Sequence, residues 1–129
     1  MIIIREIDHD KQRYPTAGDW YFTPNKDIII NVSKTADWRV SALVAVHELV
    51  EALGCLVDGV SEEDVTNHDL WFEDQQLEGE PGDHPTAPYY KQHQLATKVE
   101  KLVCEAFGMK WDEYDQAVEQ LFEEAANGK

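Results

Sequence analysis

Basic residues are scarce in this sequence: 11 Lys and Arg stand against 26 Asp and Glu, which gives a formal net charge of −15 at pH 7. A surface with this charge repels a phosphate backbone, so we expect no nucleic-acid partner. Long apolar runs are also missing, because no uninterrupted stretch reaches the roughly 18 residues that a membrane span requires. We therefore expect no membrane partner either.

Cysteine is also rare, with Cys55 and Cys104 both falling on apolar helical faces. We expect buried free thiols rather than a disulfide, which suits a reducing cytoplasm. The N-terminal Met-Ile-Ile-Ile-Arg-Glu is too short for a signal peptide, so we expect a cytoplasmic location. The sequence also lacks a glycine-rich phosphate loop and a G-x-S-x-G elbow, which argues against two common kinds of catalytic site.

The residues that are present predict a single α+β domain over residues 1–129. Residues 1–33 contain a β-branched first segment and two apolar segments around a Pro24–Asp27 turn, which predicts a small antiparallel sheet of about three strands. Residues 36–125 predict about four helices, near 37–53, 61–76, 87–107 and from 112 onward. We expect the tail from Ala126 to fray.

The stretch 40–57 is the most informative part of the chain, because apolar residues cover almost the whole circumference of the helix that it predicts. Its strongly polar residues, His47, Glu48 and Glu51, fall within one sector of about 100°. A lone buried carboxylate costs several kcal/mol unless it is paired, protonated or bound to a metal. Some interaction must therefore offset the free-energy cost of burying His47, Glu48 and Glu51.

The spacing of His47 and Glu51 favours a shared metal ion as the interaction that offsets this cost. His47 and Glu51 are four residues apart, so both reach one ion above the same helix face, while Glu48 lies beside that ion. The sequence His-Glu-Leu-Val-Glu resembles the active-site helix of the zincin metallopeptidases, with a glutamate in place of the second histidine of H-E-x-x-H. The order of sheet then helices is also similar to that family.

The resemblance implies a role for each of these residues. His47 would be a ligand of Zn²⁺ or another divalent metal, Glu51 would take the second ligand position, and Glu48 would be the general base. In related families, an acid on a following helix supplies a third ligand roughly twenty residues further on. Asp69 fits that position, with His68 as the alternative, and both fall on the inward face of the predicted helix.

The third predicted helix carries two further polar residues on its apolar face, His93 and Glu100. They are further candidate ligands, partners that orient His47, or donors to a substrate oxyanion. They can equally form an ion pair in the core.

These observations lead to a first hypothesis of a zincin-like, metal-dependent hydrolase that acts on a peptide or amide, with an extended substrate held at the sheet edge. A second hypothesis is a non-enzymatic, metal-stabilised or partner-binding module. A third follows from Glu48-x-x-Glu51, which resembles half of the acid motif of all-α, Mg²⁺-dependent nucleoside triphosphate pyrophosphohydrolases. Small acidic chains of this general look are also similar to phage and prophage proteins.

Overall fold

The computed structural model describes residues 1–127 and confirms an α+β fold with a three-stranded sheet followed by four helices. The strands and helices are β1 (Ile2–Ile7), β2 (Gly18–Phe22), β3 (Ile28–Ser33), α1 (Trp38–Asp58), α2 (Glu62–Asp74), α3 (Tyr90–Ala106) and α4 (Trp111–Asn127). Two short 3-10 turns, His9–Lys11 and Pro81–Asp83, lie in the connections. Helix α4 continues past the expected fraying point at Ala126, and the rest of that tail, 128–129, lies outside the described residues.

The sheet has the order β1-β3-β2 and differs from the prediction in one respect. Strands β2 and β3 form the expected antiparallel hairpin, with Trp20 opposite Ile30, but β1 pairs with β3 in parallel, with Ile4 opposite Ile30. The sheet is therefore mixed rather than antiparallel. The reason is topological: β1 and β2 run in opposite directions on either side of β3, so a β3 that is antiparallel to β2 must be parallel to β1. All six residues of β3 are buried, as befits the central strand.

Helix α1 packs on the sheet through the apolar face that contains Val40, Leu43 and Val44, against Ile30 and Val32 of β3. The side chain of Asp37 caps its first turn by accepting a hydrogen bond from the Arg39 amide at 2.9 Å. The helix ends at Gly59, whose φ of 73° is in the left-handed region that glycine adopts most readily. Helix α1 thus lies between the sheet and helix α3.

Length and composition alone would also allow α1 to cross a membrane, since its most apolar 18-residue window has a mean hydropathy of 1.8. The core helix of a globular protein meets the same criteria, and 44% of this window is buried within the protein. The two cysteines, on α1 and α3, are buried free thiols in the structure, as the sequence predicted.

Candidate metal centre

Three buried side chains from α1 and α3 bring one ligand atom each to a common point. His47 Nε2 lies 3.1 Å from Glu51 Oε2 and 3.1 Å from His93 Nδ1, and His93 Nδ1 lies 2.9 Å from Glu51 Oε2. The exposed fractions of these residues are only 8%, 5% and 5%. We refer to His47, Glu51 and His93 as the triad.

The local sequence explains why the triad forms. His47 and Glu51 share a face of α1 because four residues make slightly more than one helical turn. Helix α3 approaches that face closely at Gly54, where a Cβ atom would lie 3.0 Å from Gln92 Cγ. Ala96, fully buried on α3, also leaves little side chain between the helices. The close approach of the two helices places His93 opposite His47.

Each member of the triad also contacts a polar group through its other nitrogen or oxygen atom, the one that is not part of the triad. Glu100 Oε1 lies 2.8 Å from His47 Nδ1, and Glu80 Oε2 lies 3.0 Å from His93 Nε2. The remaining oxygen of Glu51 accepts a hydrogen bond from the indole Nε1 of Trp20 at 2.9 Å. Both histidines therefore turn one ring nitrogen toward the triad and the other toward a carboxylate.

The Glu100 carboxylate is itself anchored, because its second oxygen accepts a hydrogen bond from the Tyr114 hydroxyl. Tyr114 is buried on α4, so the chain of contacts from His47 extends through Glu100 into the last helix. This arrangement fixes the orientation of the His47 ring.

Both histidines must be charged to satisfy these contacts. An ionised carboxylate can only accept hydrogen bonds, so each imidazole has to donate from both of its nitrogens. Burial opposes this charge, but the hydrogen bonds to Glu100 and Glu51 outweigh it and raise the pKa of His47 to about 11. For His93, burial is likewise outweighed by Glu51 and Glu80, and its pKa rises to about 10. Two imidazolium nitrogens then face each other across 3.1 Å.

The negative charge of Glu51 partly balances the two positive charges of His47 and His93. Burial disfavours its ionised form, but the hydrogen bonds from His47 and His93 prevail and lower its pKa to about 2. Two cations and one anion at mutual distances of about 3 Å form a highly polarised arrangement in a buried site.

The donor set fits a divalent transition metal. Two imidazoles and one carboxylate form the ligand set of one class of catalytic zinc sites, and a tetrahedral ion with ligand bonds of about 2.0–2.1 Å separates its ligands by about 3.3–3.4 Å. The triad distances of 2.9–3.1 Å are a few tenths of an ångström shorter. With an ion in place, each histidine needs only one proton, on the nitrogen that faces a carboxylate, which is the usual arrangement around metal-bound histidines.

Glu48 occupies a different position from its neighbours on α1. It is half-buried, and within residues 1–127 its carboxylate has no hydrogen-bond partner. Burial and the nearby Glu51 charge raise its pKa well above the ordinary value. The side chain packs against β2 at Gly18, where a Cβ atom would lie 2.6 Å from Glu48 Cγ. A carboxyl group with a raised pKa beside the triad is suited to accept and release a proton.

The structure brings together some of the residues that the sequence singled out and separates others. His47, Glu51 and His93 meet, whereas Glu100 lies behind His47 rather than among the triad atoms. Asp69 lies outside the group of mutually close ligand atoms, and it accepts hydrogen bonds from the hydroxyls of Tyr89 and Tyr14.

His68 also lies outside the triad, and its Nε2 lies 2.9 Å from the Pro81 carbonyl oxygen. Burial raises the pKa of Asp69 to about 6, although the hydrogen bond from Tyr89 opposes this shift. The structure thus places His93, rather than Asp69 or His68, at the third corner of the triad.

Four contributing residues had not been identified from the sequence: Trp20, Glu80, Tyr114 and Asp83, whose Oδ1 lies 3.3 Å from His93 Nε2. Tyr114 was predicted to point inward on the last helix, but nothing in that pattern indicated a partner. Glu80 and Asp83 lie in a Gly- and Pro-rich connection, where no periodicity indicates direction.

The chain was compared with protein-family models, with curated proteins and with solved structures, and no match was found in any of the three comparisons. The similarity to the zincin active-site helix therefore rests on the residues of α1 themselves.

Proposed function

We propose that this protein binds one divalent transition-metal ion, Zn²⁺ by its donor set, through His47, Glu51 and His93. The observation that supports this proposal is the triangle of three buried ligand atoms, 2.9–3.1 Å apart, together with a carboxylate behind each histidine. A hydrogen-bonded core network needs no such convergence, since it gains by separating two imidazolium groups.

The nitrogen donors also favour one class among the metals that the sequence left open. Mg²⁺ and Ca²⁺ prefer oxygen ligands, whereas imidazole favours zinc and its neighbours. Glu51 Oε2 lies within 3.1 Å of two imidazole nitrogens, so an ion bound to this oxygen meets both of them. We therefore favour zinc over the Mg²⁺-dependent pyrophosphohydrolase alternative.

We infer metal-dependent hydrolysis of a peptide or amide bond as the activity of this centre. A bound Zn²⁺ acts as a Lewis acid toward water and a carbonyl oxygen. Glu48, unpartnered within the described residues and with a raised pKa, is the group that would take the proton from water and hold it for the leaving amine. The edge strand β2 passes over Glu48 at Gly18, so an extended peptide held at this edge of the sheet would lie close to Glu48.

The second candidate, a metal-stabilised module without catalysis, is favoured by one specific observation. The Pro81–Asp83 turn covers His93, and the triad is almost fully buried. A structural zinc site is closed in this way, whereas a catalytic site keeps one position open to substrate.

Metal binding is tested by elemental mass spectrometry of the protein after zinc loading and removal of free metal. We expect about one Zn²⁺ per chain in the wild type, and loss of zinc in His47→Ala. His9→Ala is the matched control, because His9 contacts Ser33 and Phe122 rather than the triad and should retain zinc. A wild-type protein without transition metal contradicts the proposal, provided that its circular dichroism shows a folded chain.

Catalysis is tested separately with Glu48→Gln, which keeps the shape of the side chain but removes its basicity. We expect this variant to retain zinc and to lose about 10²- to 10⁴-fold of the wild-type rate on a peptide library. Equal rates of cleavage in the two proteins would contradict the role of Glu48 as general base, whereas no cleavage by the zinc-loaded wild type would favour the metal-stabilised module.

A further inference from the structure

His93 belongs to a second cluster of ligand atoms on its outer side. Its Nε2 lies 3.0 Å from Glu80 Oε2 and 3.3 Å from Asp83 Oδ1, and the three atoms lie within 4.8 Å of one another. The Glu80 and Asp83 side chains are 66% and 55% exposed, whereas that of His93 is only 6% exposed. One imidazole ring therefore connects a solvent-facing cluster to the buried triad.

The Pro81–Asp83 turn is built directly on this ring. A Cβ atom at Gly82 would lie 2.4 Å from both Cγ and Nδ1 of His93, so only glycine allows the backbone to pack so closely. The turn is also tied down on both sides, by His68 at the Pro81 carbonyl oxygen and by the Gln94 amide at Asp83. It covers the ring and presents two carboxylates to solvent on either side of Gly82.

We propose that Glu80, Asp83 and the Nε2 of His93 form an entry site that captures a divalent metal ion from solvent and delivers it to the triad. The inference rests on the proposed function, since it concerns how that centre is loaded. Two carboxylates and one imidazole are suitable ligands for Zn²⁺ and Co²⁺, and their exposure makes binding rapid and weak. The outer cluster lies one imidazole ring away from the inner ligand atoms.

The two clusters are occupied one after the other, not together. A neutral imidazole offers one nitrogen lone pair, because the other nitrogen carries the proton. An ion at Nε2 of His93 therefore leaves no ligand at Nδ1, and an ion in the triad leaves Nε2 to donate its proton to Glu80. The stoichiometry stays at one ion per chain, while the route to the triad passes through the outer carboxylates.

The test is the rate of Co²⁺ uptake by metal-free protein, followed by stopped-flow absorbance of the tetrahedral Co²⁺ bands. The informative variant is the double substitution Glu80→Gln/Asp83→Asn, whose exposed positions tolerate isosteric changes. The matched control is Glu73→Gln/Asp74→Asn, which removes the same charge from two exposed residues of α2. This control corrects for the loss of electrostatic steering that any less acidic protein shows.

We expect the double variant at residues 80 and 83 to take up Co²⁺ at least tenfold more slowly than the control pair. The association rate constant is the readout, because loss of the Glu80 contact with His93 is expected to raise Kd in either case. A slowing of less than tenfold relative to the control overturns the entry site. If Kd then rises through faster release alone, Glu80 only orients His93.

Failure of the proposed function gives a different result. The wild type and the control pair would then show no tetrahedral Co²⁺ spectrum at any time, and both proposals would be rejected. Uptake by the wild type with unchanged kinetics in the variant rejects the entry site alone.

Discussion

At the scale of single residues, His47 and His93 are unusual because all four of their ring nitrogens have close polar partners. In the metal-free protein both rings are held as cations, with pKa values near 11 and 10. With a metal ion bound as proposed, the same rings would be neutral ligands. The two states therefore respond to pH in opposite ways.

We predict that the metal-free protein becomes less stable as pH rises above about 6.5. A histidine whose folded pKa is above its unfolded value of 6.5 stabilises the fold fully below that pH, and this contribution is lost as pH rises toward 10–11. Glu51 acts in the opposite direction, since its lowered pKa stabilises the fold above its ordinary value of 4.5, and this contribution is lost as pH falls toward 2. The triad therefore stabilises the metal-free fold most between about pH 4.5 and 6.5.

Thermal melting from pH 4.5 to 9 in the presence of a chelator measures this dependence, and the zinc-loaded protein provides the comparison. Zinc should raise Tm by more at pH 8 than at pH 5.5, because binding displaces a proton from each histidine at both pH values and the release of these protons costs less free energy at pH 8. A zinc-induced shift that does not change with pH would contradict the assignment of His47 and His93 as ligands.

At the scale of elements, the sequence was sufficient to predict α1 and its polar sector. Apolar periodicity gives the direction of a side chain around the helix axis, so His47, Glu48 and Glu51 could be placed on one side of a buried helix. The α+β order of strands and helices followed from β-branched segments, turn residues and helix caps such as Ser61, which accepts a hydrogen bond from the Asp64 amide.

The sequence left Asp69, His68 and His93 as alternatives for the third corner of the triad, and there is a physical reason why it could not choose between them. Periodicity does not give the position of one helix along the axis of another, and that offset decides which inward residue meets His47. The offset between α1 and α3 is set by contacts such as that of Gly54 with Gln92, which places His93 at the triad. Asp69 does point inward, but toward the hydroxyls of Tyr14 and Tyr89.

The direction of β1 was missed because strand pairing is not a local property. The segment Ile2–Ile7 reads as a strand in any sheet, and its parallel pairing depends on β3 lying between β1 and β2. The outer cluster was missed for a related reason, since Glu80 and Asp83 lie in an irregular connection whose path depends on Gly82 packing against His93.

At the scale of the whole molecule, several of the buried ionisable groups lie close together. Glu51 and the two histidines meet where α1 faces α3, Glu100 on α3 and Tyr114 on α4 support them, and Trp20 reaches them from the sheet. The sheet and three of the four helices thus converge on one buried point of an otherwise strongly acidic chain. A bound cation there neutralises charge that the fold would otherwise have to balance with protons.

X-ray absorption at the zinc K-edge tests most directly the proposal that His47, Glu51 and His93 bind a metal ion, because it reports the ligands of the ion itself. For protein loaded with one Zn²⁺ per chain, we predict two imidazole nitrogens at about 2.0–2.1 Å and a carboxylate oxygen at about 2.0–2.2 Å. The imidazole signal should fall by half in His93→Gln. An all-oxygen shell, or a spectrum that this substitution leaves unchanged, would contradict a metal centre formed by His47, Glu51 and His93.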